Sequence, residues 1–362
     1  MLNSIDLFCG GGGLSEGLKQ AGFQVLSAVE FDSIAAETFR ANNPATSLVE
    51  RDIRHVAGNE ILNSIGLKKG ELDLLAGCPP CQGFSTLTRK YNPNDKRNSL
   101  IAEVTRLIKE LEPKTLMIEN VPGIMSKGVD FLKVFLDEIR KLGYIANYGV
   151  LQVADYGVPQ DRKRFVLLAG RGFEIKIPEP SHSRDGVNGK TPWNSIKHVF
   201  EGLEEPLTLK NSLNFGGPKT INWHVVRELS PLNIERMKYL KPGGKRFDIP
   251  DHLRPDCHKG NNIGYSNVYA RMHEDFVAPT ITGGCTVLSK GRFGHPYKMR
   301  TISVREAARI QTFPDSFQIA TNFIDHACQI IGNALPCEFA KIMSAACRDA
   351  LLNSQKIPSD FM

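Results

Sequence analysis

The chain has 362 residues and a net charge of +6 at pH 7, and 41% of its residues are hydrophobic. No apolar run reaches the length that crosses a bilayer, so we expect no contact with a membrane. The eight cysteines, with no signal peptide ahead of them, exclude a disulfide scaffold in a chain of this length and predict a reduced, cytoplasmic protein.

A short strand and a glycine-rich loop open the chain. The strand covers residues 5–8, the loop covers residues 9–13, and apolar residues at helical spacing begin at Leu14. Nucleotide-binding α/β domains begin with a strand, a glycine loop and a helix in this order. The glycines let the backbone approach a ligand, and the helix N-terminus supplies amide dipoles. A plain flexible turn would also account for the loop.

Acidic residues stand where the next two strands end. Glu30 ends the second strand about 20 residues past the glycines, where an acid accepts hydrogen bonds from ribose hydroxyls. Phe31 is placed to stack on adenine, Asp32 is predicted to cap the helix Ser33–Asn42, and Asp52 is placed to accept the exocyclic amine of adenine. No arginine close behind Glu30 is available for a ribose phosphate. A plain dinucleotide and S-adenosylmethionine both remain, because the fold does not decide between them.

The next predicted strand leads to Cys81. The apolar residues 72–76 predict a buried strand, and the two prolines after it force the chain to turn, because proline donates no backbone hydrogen bond. The Cys81 thiol is thereby presented at the carboxyl end of a strand, where open parallel sheets bind ligands, and is a candidate nucleophile. The alternatives are a redox pair or half a zinc site formed with Cys78. Zinc needs a second ligand pair that the other, isolated cysteines do not offer, and a redox pair should open a helix directly.

Charged residues mark the two strands that follow. Glu119 ends one of them, and we expect it at the same sheet edge as the candidate nucleophile; capping of the helix Val129–Lys141 is the alternative. Arg162 and Arg164 alternate ahead of the next apolar strand, and this spacing directs both to one face of an extended segment. They form either a charged surface edge or two guanidiniums that face the site.

The basic excess of the chain is concentrated in one region. Residues 155–300 contain 23 basic and 15 acidic residues, whereas the segments on either side are each close to neutral. This predicts a surface that binds a polyanion, although solvated basic loops would give the same composition. Prolines and glycines break up residues 172–299, which predicts a loop-rich second domain. The helical pattern returns after Arg300, so we expect the last segment to pack back on the first domain.

Six ordered motifs resemble those of the DNA cytosine-5 methyltransferase family, bacterial restriction-modification type. They span nearly the whole chain, and they are residues 6–13, Pro80-Cys81-Gln82, Glu119-Asn120-Val121, residues 160–164, residues 300–314 and residues 331–336. The resemblance implies an α/β fold, with a Rossmann-like S-adenosylmethionine-dependent methyltransferase domain formed by residues 1–171 and 300–362. Residues 172–299 would be an inserted, smaller, loop-rich target recognition domain. Cys9, where many members carry alanine, is a departure, and Cys78 has no family role.

The resemblance also implies a reaction and a set of site residues. Cys81 would add to C6 of a cytosine flipped out of the duplex, Glu119 would bind N3 and the exocyclic amine, Arg164 would contact O2, and Arg162 would support the loop. The cofactor would be S-adenosylmethionine, and no metal is implied. The residues implied to bind the cofactor are Phe8, Gly10, Gly11, Gly13, Leu14, Glu30, Phe31, Asp52, Ile53, Pro80, Leu100 and Asn333.

The implied partner is double-stranded DNA, bound by a monomer, with a cognate restriction endonuclease that acts separately. Two alternatives remain. One is methylation of cytosine in tRNA. The other is a DNA-binding member without catalysis, which the presence of Cys81, Glu119 and Arg164 disfavours.

Overall fold

The computed structural model describes residues 1–80, 100–259 and 267–356. Its strands, in chain order, are β1 (Leu2–Leu7), β2 (Phe23–Glu30), β3 (Ser47–Glu50), β4 (Leu74–Gly77), β5 (Thr115–Asn120), β6 (Tyr144–Gln152), β7 (Gln160–Asp161), β8 (Lys163–Arg171), β9 (His182–Ser183), β10 (Thr191–Pro192), β11 (Leu207–Thr208), β12 (Val225–Val226) and β13 (Ala278–Pro279). Its α-helices are α1 (Gly13–Gln20), α2 (Ser33–Asn42), α3 (Gly58–Ile65), α4 (Leu100–Leu111), α5 (Val129–Lys141), α6 (Leu209–Ser212), α7 (Pro231–Lys238), α8 (Val304–Ile310), α9 (Ile324–Asn333) and α10 (Cys337–Ser354). The predicted nucleophile, Cys81, lies outside the described residues.

The chain divides into two compact units. The first comprises Met1–Tyr156, Lys163–Pro180 and Leu335–Met362, and the second comprises Gly157–Arg162 and Ser181–Ala334. Residues 300–334, with α8 and α9, thus group with most of the predicted recognition segment, whereas α10 belongs to the first unit. The assignment of target recognition to residues 172–299 stays a prediction.

A seven-stranded sheet organises the first unit. Its strand order is β3-β2-β1-β4-β5-β8-β6, and β1 to β5 are parallel to one another while β8 is antiparallel to both of its neighbours. The central parallel strands β4 and β5 are fully buried, as expected for strands of a parallel sheet whose two faces are covered. This confirms the predicted α/β class. The carboxyl ends of β1, β2, β4 and β5 carry the predicted site residues to one edge of the sheet.

Two helices of the first unit show how closely its layers pack. Gly17 on α1 faces α10, and a β-carbon on Gly17 would stand 2.4 Å from the Ala340 β-carbon. Only glycine permits this approach. On the other side of the sheet, α4 buries Val104, Leu107 and Ile108 in the main apolar core. The helix that Asp32 was predicted to cap begins where expected, and the Asp32 carboxylate accepts hydrogen bonds from the Ile34 and Ala35 amides.

The second unit has little regular structure. Its strands are only two residues long, and buried arginines satisfy several of its backbone carbonyl oxygens. Arg305 donates to the carbonyl oxygens of Asn222 and Phe317, and Arg271 donates to those of His295 and Met237. The described part of the second unit is therefore rich in loops, and its identification as a separate recognition domain stays a prediction. Across the part of the chain that the structure describes, no helix is both long and apolar enough to span a membrane.

Candidate active site

The glycine-rich loop leaves β1 through a sharp reversal of the backbone. Phe8 has φ 61°, Gly10 has φ 53° and Gly12 has φ 103°, all in the left-handed region. Phe8 therefore lies beyond the strand that sequence alone extended to residue 8, because the turn begins one residue earlier than predicted. Among the described residues, no heavy atom lies within 4 Å of the point where a Gly10 β-carbon would stand. The backbone of Gly10 consequently borders open space.

Glu30 holds this loop in place. Its Oε2 accepts the Gly10 amide at 2.8 Å, and its Oε1 accepts the amides of Phe31 and Asp32 at 2.9 and 2.8 Å. Burial raises the pKa of Glu30, and the three amide bonds oppose that rise. A carboxylate has about four acceptor positions, so one position on Oε2 remains for a ligand hydroxyl. Glu30 is thus a loop anchor as well as the predicted ribose acceptor.

Asp6 is a buried acid that sequence analysis did not select. It is wholly buried on β1; its Oδ2 accepts the Ser15 hydroxyl at 2.7 Å, and within the described residues its Oδ1 has no hydrogen-bond partner. Burial, together with the charge of Glu30, raises the pKa of Asp6 to about 7, although the bond from Ser15 opposes the rise. The only signal in the sequence was a carboxylate inside an apolar strand, immediately before the glycine loop.

The raised pKa of Asp6 predicts a specific pH dependence. A folded pKa of about 7 against an ordinary value of 3.8 means that Asp6 favours folding below pH 4 and that this contribution is lost as the pH rises to about 7. Asp6→Asn, which cannot ionise, should therefore raise the melting temperature more at pH 8 than at pH 5. Thermal unfolding of both proteins at the two pH values measures the difference. An equal change in melting temperature at both pH values would show that folding does not raise the pKa of Asp6.

The other predicted cofactor residues of the first unit fall into three groups. Gly11, Gly13, Leu14 and Ile53 are buried. Pro80 and Leu100 are half-buried, and Phe31 is 72% exposed, so its ring is open to a stacking partner. Asp52 caps a short 3-10 turn and pairs with Arg54, and that pairing lowers the pKa of Asp52 to about 2. Asp52 is therefore a charged acceptor at neutral pH.

Asn120 ties the loop that precedes Cys81 to the acid strand. Its Nδ2 donates to the Pro79 carbonyl oxygen at 3.1 Å, and its Oδ1 accepts the Val121 amide at 2.7 Å. Cys78, at the start of the same loop, donates its amide to the Leu7 carbonyl oxygen. The described part of the loop is thus fixed to both neighbouring strands.

Glu119 and Arg164 form a buried ion pair across adjacent strands. Arg164 Nε lies 2.7 Å from Glu119 Oε1, and the two side chains are 14% and 11% exposed. Burial lowers the pKa of Arg164, while the charge of Glu119 opposes the shift. The structure therefore brings together two of the predicted catalytic side chains at the edge where β4 also ends.

Arg162 has a different set of partners, within the second unit. It is buried and donates to the carbonyl oxygens of Ile281, Gly332 and Ala334 at 3.0 to 3.2 Å. Arg162 lies between β7 and β8, so the strand alternation that predicted a common face with Arg164 is interrupted there. These bonds fit the supporting role. They also bracket Asn333, which is exposed at the end of α9; the role of Asn333 at the cofactor stays a prediction.

Comparisons with known proteins show which enzymes this chain is similar to. A type II methylase of Herpetosiphon aurantiacus, M.HgiDII, is 36% identical, with 94% of this chain and 93% of that protein covered. A type II methyltransferase of Haemophilus parahaemolyticus, M1.HphI, is 33% identical over 95% of this chain and 86% of its own length. A crystal structure of a prophage-encoded DNA modification methyltransferase from E. coli matches with a TM-score of 0.72 and 24% identity over 97% of this chain and all of that one, which shows a shared fold.

The sequence profile of the C-5 cytosine-specific DNA methylase family matches residues 2–348. That match includes the glycine loop, the Glu119–Arg164 pair, α9 and the first two thirds of α10. The chain therefore belongs to the C-5 cytosine-specific DNA methylase family and is a DNA (cytosine-5-)-methyltransferase.

Proposed function

We propose that this enzyme transfers a methyl group from S-adenosylmethionine to C5 of a cytosine flipped out of a specific duplex DNA sequence, through a covalent bond between Cys81 and C6. The Glu119–Arg164 pair carries the proposal, because it places an acid and a fixed cation beside the strand that leads to Cys81. A stacked base is out of reach of these groups, so the proposal includes base flipping.

S-adenosylmethionine fits the residues at the ends of β1 and β2. Open space beside Gly10 accommodates a ligand against the backbone, and Glu30 retains an acceptor position for a ribose hydroxyl. The exposed ring of Phe31 offers an adenine a stacking surface. When bound, the cofactor supplies an electrophilic methyl group.

The protein side chains supply the remaining chemistry. The Cys81 thiolate would add to C6, and the electron pair displaced from the C5–C6 bond would make C5 nucleophilic. Glu119, once it has taken up a proton, would donate that proton to N3 and accept from the exocyclic amine, while Arg164 would offset the negative charge that develops toward O2. After methylation, loss of the C5 proton returns an electron pair to the ring and expels Cys81.

Target recognition is proposed for residues 172–299. This interval lies in the region that holds the basic excess of the chain, and positive surfaces neutralise phosphates when a protein binds DNA. Sequence choice requires contacts to base edges, which a loop-rich domain can present to the major groove. The proposal also includes a monomer on DNA, a cytoplasmic location and a cognate restriction endonuclease that acts separately.

Conversion sequencing tests this function directly. The protein is expressed in a bacterial host without cytosine methylation, and its plasmid is deaminated and sequenced. We expect one recurring sequence in which a single cytosine resists conversion, and none with the empty vector. Transfer of labelled methyl groups by the purified protein to tRNA but not to plasmid would replace DNA with tRNA as the substrate. No transfer to either nucleic acid would refute the activity.

A further inference from the structure

Cys78 lies directly beside Glu119, the predicted catalytic acid. Strands β4 and β5 are parallel, with Gly77 paired to Ile118, so the next residues along each strand, Cys78 and Glu119, are neighbours across the sheet edge. The register continues one step further, because Asn120 donates to the Pro79 carbonyl oxygen at 3.1 Å. Two hydrogen bonds, this one and the bond from the Cys78 amide to the Leu7 carbonyl oxygen, fix the backbone on either side of the Cys78 thiol.

The thiol lies on the side of Glu119 away from Arg164. The β5–β8 pairing places Glu119 opposite Val166, so Arg164 approaches the carboxylate from β8, whereas Cys78 approaches it from β4. The strand register places the Cys78 side chain next to the Glu119 carboxylate. Burial and the charge of Glu119 raise the pKa of Cys78 well above its ordinary value, so the sulfur carries its proton at neutral pH. Cys78 is therefore a hydrogen-bond donor and not a second nucleophile.

We propose that Cys78 is a positioning residue for methyl transfer: its S–H donates to Glu119 and, with Arg164 on the opposite side, sets the direction in which the carboxyl group meets the flipped cytosine. This inference rests on the proposed function. It assigns a role to a side chain that the family resemblance left without one. By itself, the Arg164 guanidinium fixes only one oxygen of Glu119. The Cys78 thiol supplies the second constraint, which sets the plane of the carboxyl group.

Two substitutions separate the hydrogen bond from packing. Cys78→Ala removes the donor, whereas Cys78→Ser keeps one of similar size. With saturating DNA and cofactor, we expect the single-turnover rate to fall about tenfold in the alanine variant, as for one hydrogen bond to a charged group. The serine variant should recover at least half of the wild-type rate. Cofactor affinity, measured by calorimetry, should be the same in all three proteins.

A double-mutant cycle with Glu119→Gln tests whether Cys78 acts through the acid. If it does, Cys78→Ala should slow the enzyme little further in the Glu119→Gln background, because residues that act as a unit are not additive. Equal losses in both backgrounds, or equal rates for the alanine variant and the wild type, would overturn the inference. Equal losses in the alanine and serine variants would overturn it as well, since packing alone would then explain the effect.

A spectroscopic readout does not depend on activity. The infrared S–H band of Cys78, isolated by subtracting the spectrum of the Cys78→Ala variant, should lie at lower frequency in the wild type than in Glu119→Gln, because a charged acceptor binds the proton more strongly. An unchanged band would contradict the hydrogen bond. A wild-type protein that methylates no nucleic acid but shows the shifted band would refute the proposed function and leave the contact confirmed.

Discussion

Replacement of Cys81 by serine is expected to slow methyl transfer by more than about a thousandfold, which corresponds to about 4 kcal/mol of activation free energy. A serine hydroxyl is a far weaker nucleophile than a thiolate, and addition to C6 is the step that makes C5 reactive. Single-turnover rates with labelled cofactor measure the loss. The control is Cys257→Ser, since Cys257 is a free, exposed thiol in the second unit and its loss should change the rate less than twofold.

The covalent bond itself provides the second readout for Cys81. On duplex DNA with 5-fluorocytosine at the target, fluorine cannot leave as a cation, so the final elimination stops and the adduct accumulates. Intact-mass measurement should find protein, one DNA strand and one methyl group joined in the wild type and in Cys257→Ser. The Cys81→Ser protein should form no adduct. Turnover on ordinary DNA with no adduct from the wild type would exclude covalent catalysis.

Local signals in the sequence were sufficient to predict much of the secondary structure of the first unit. The strand, glycine loop and helix at the start of the chain, the cap at Asp32 and the placement of Glu119 at a sheet edge each follow from a short stretch of residues, and the structure confirms them. Helix α5 also occupies the predicted range, Val129–Lys141. These features depend on residue propensities and on where each strand ends along the chain. Both are set within a few residues, so they can be predicted without knowing which residues pack against them in the fold.

What the sequence did not predict depends on neighbours distant in the chain. The burial of Asp6 and the placement of Cys78 next to Glu119 arise only when β1, β4 and β5 lie side by side. Arg162 is a similar case: period-two alternation assumes one continuous strand, but the extended segment is divided between β7 and β8 at that residue. Its carbonyl partners are more than a hundred residues away in the chain.

Loss of the cation beside Glu119 should lower both stability and activity. Arg164→Met leaves the Glu119 carboxylate buried and unpaired, and breaking a buried ion pair costs about 3 kcal/mol in the free energy of unfolding. Methyl transfer should fall about a hundredfold, because a fixed charge beside a reacting group commonly contributes that much to the rate. Melting temperature and single-turnover rate measure the two effects separately.

The double variant Arg164→Met/Glu119→Gln distinguishes these effects. Replacing both partners removes the unpaired charge, so the double variant should be more stable than Arg164→Met alone and approach the wild-type melting temperature. Its rate should stay at or below that of the single variant, since neither the acid nor the cation is present to act on the cytosine. Recovery of the rate together with the stability would show that the Glu119–Arg164 pair serves the fold only. A rate that remains low in a stable protein would assign the pair to catalysis.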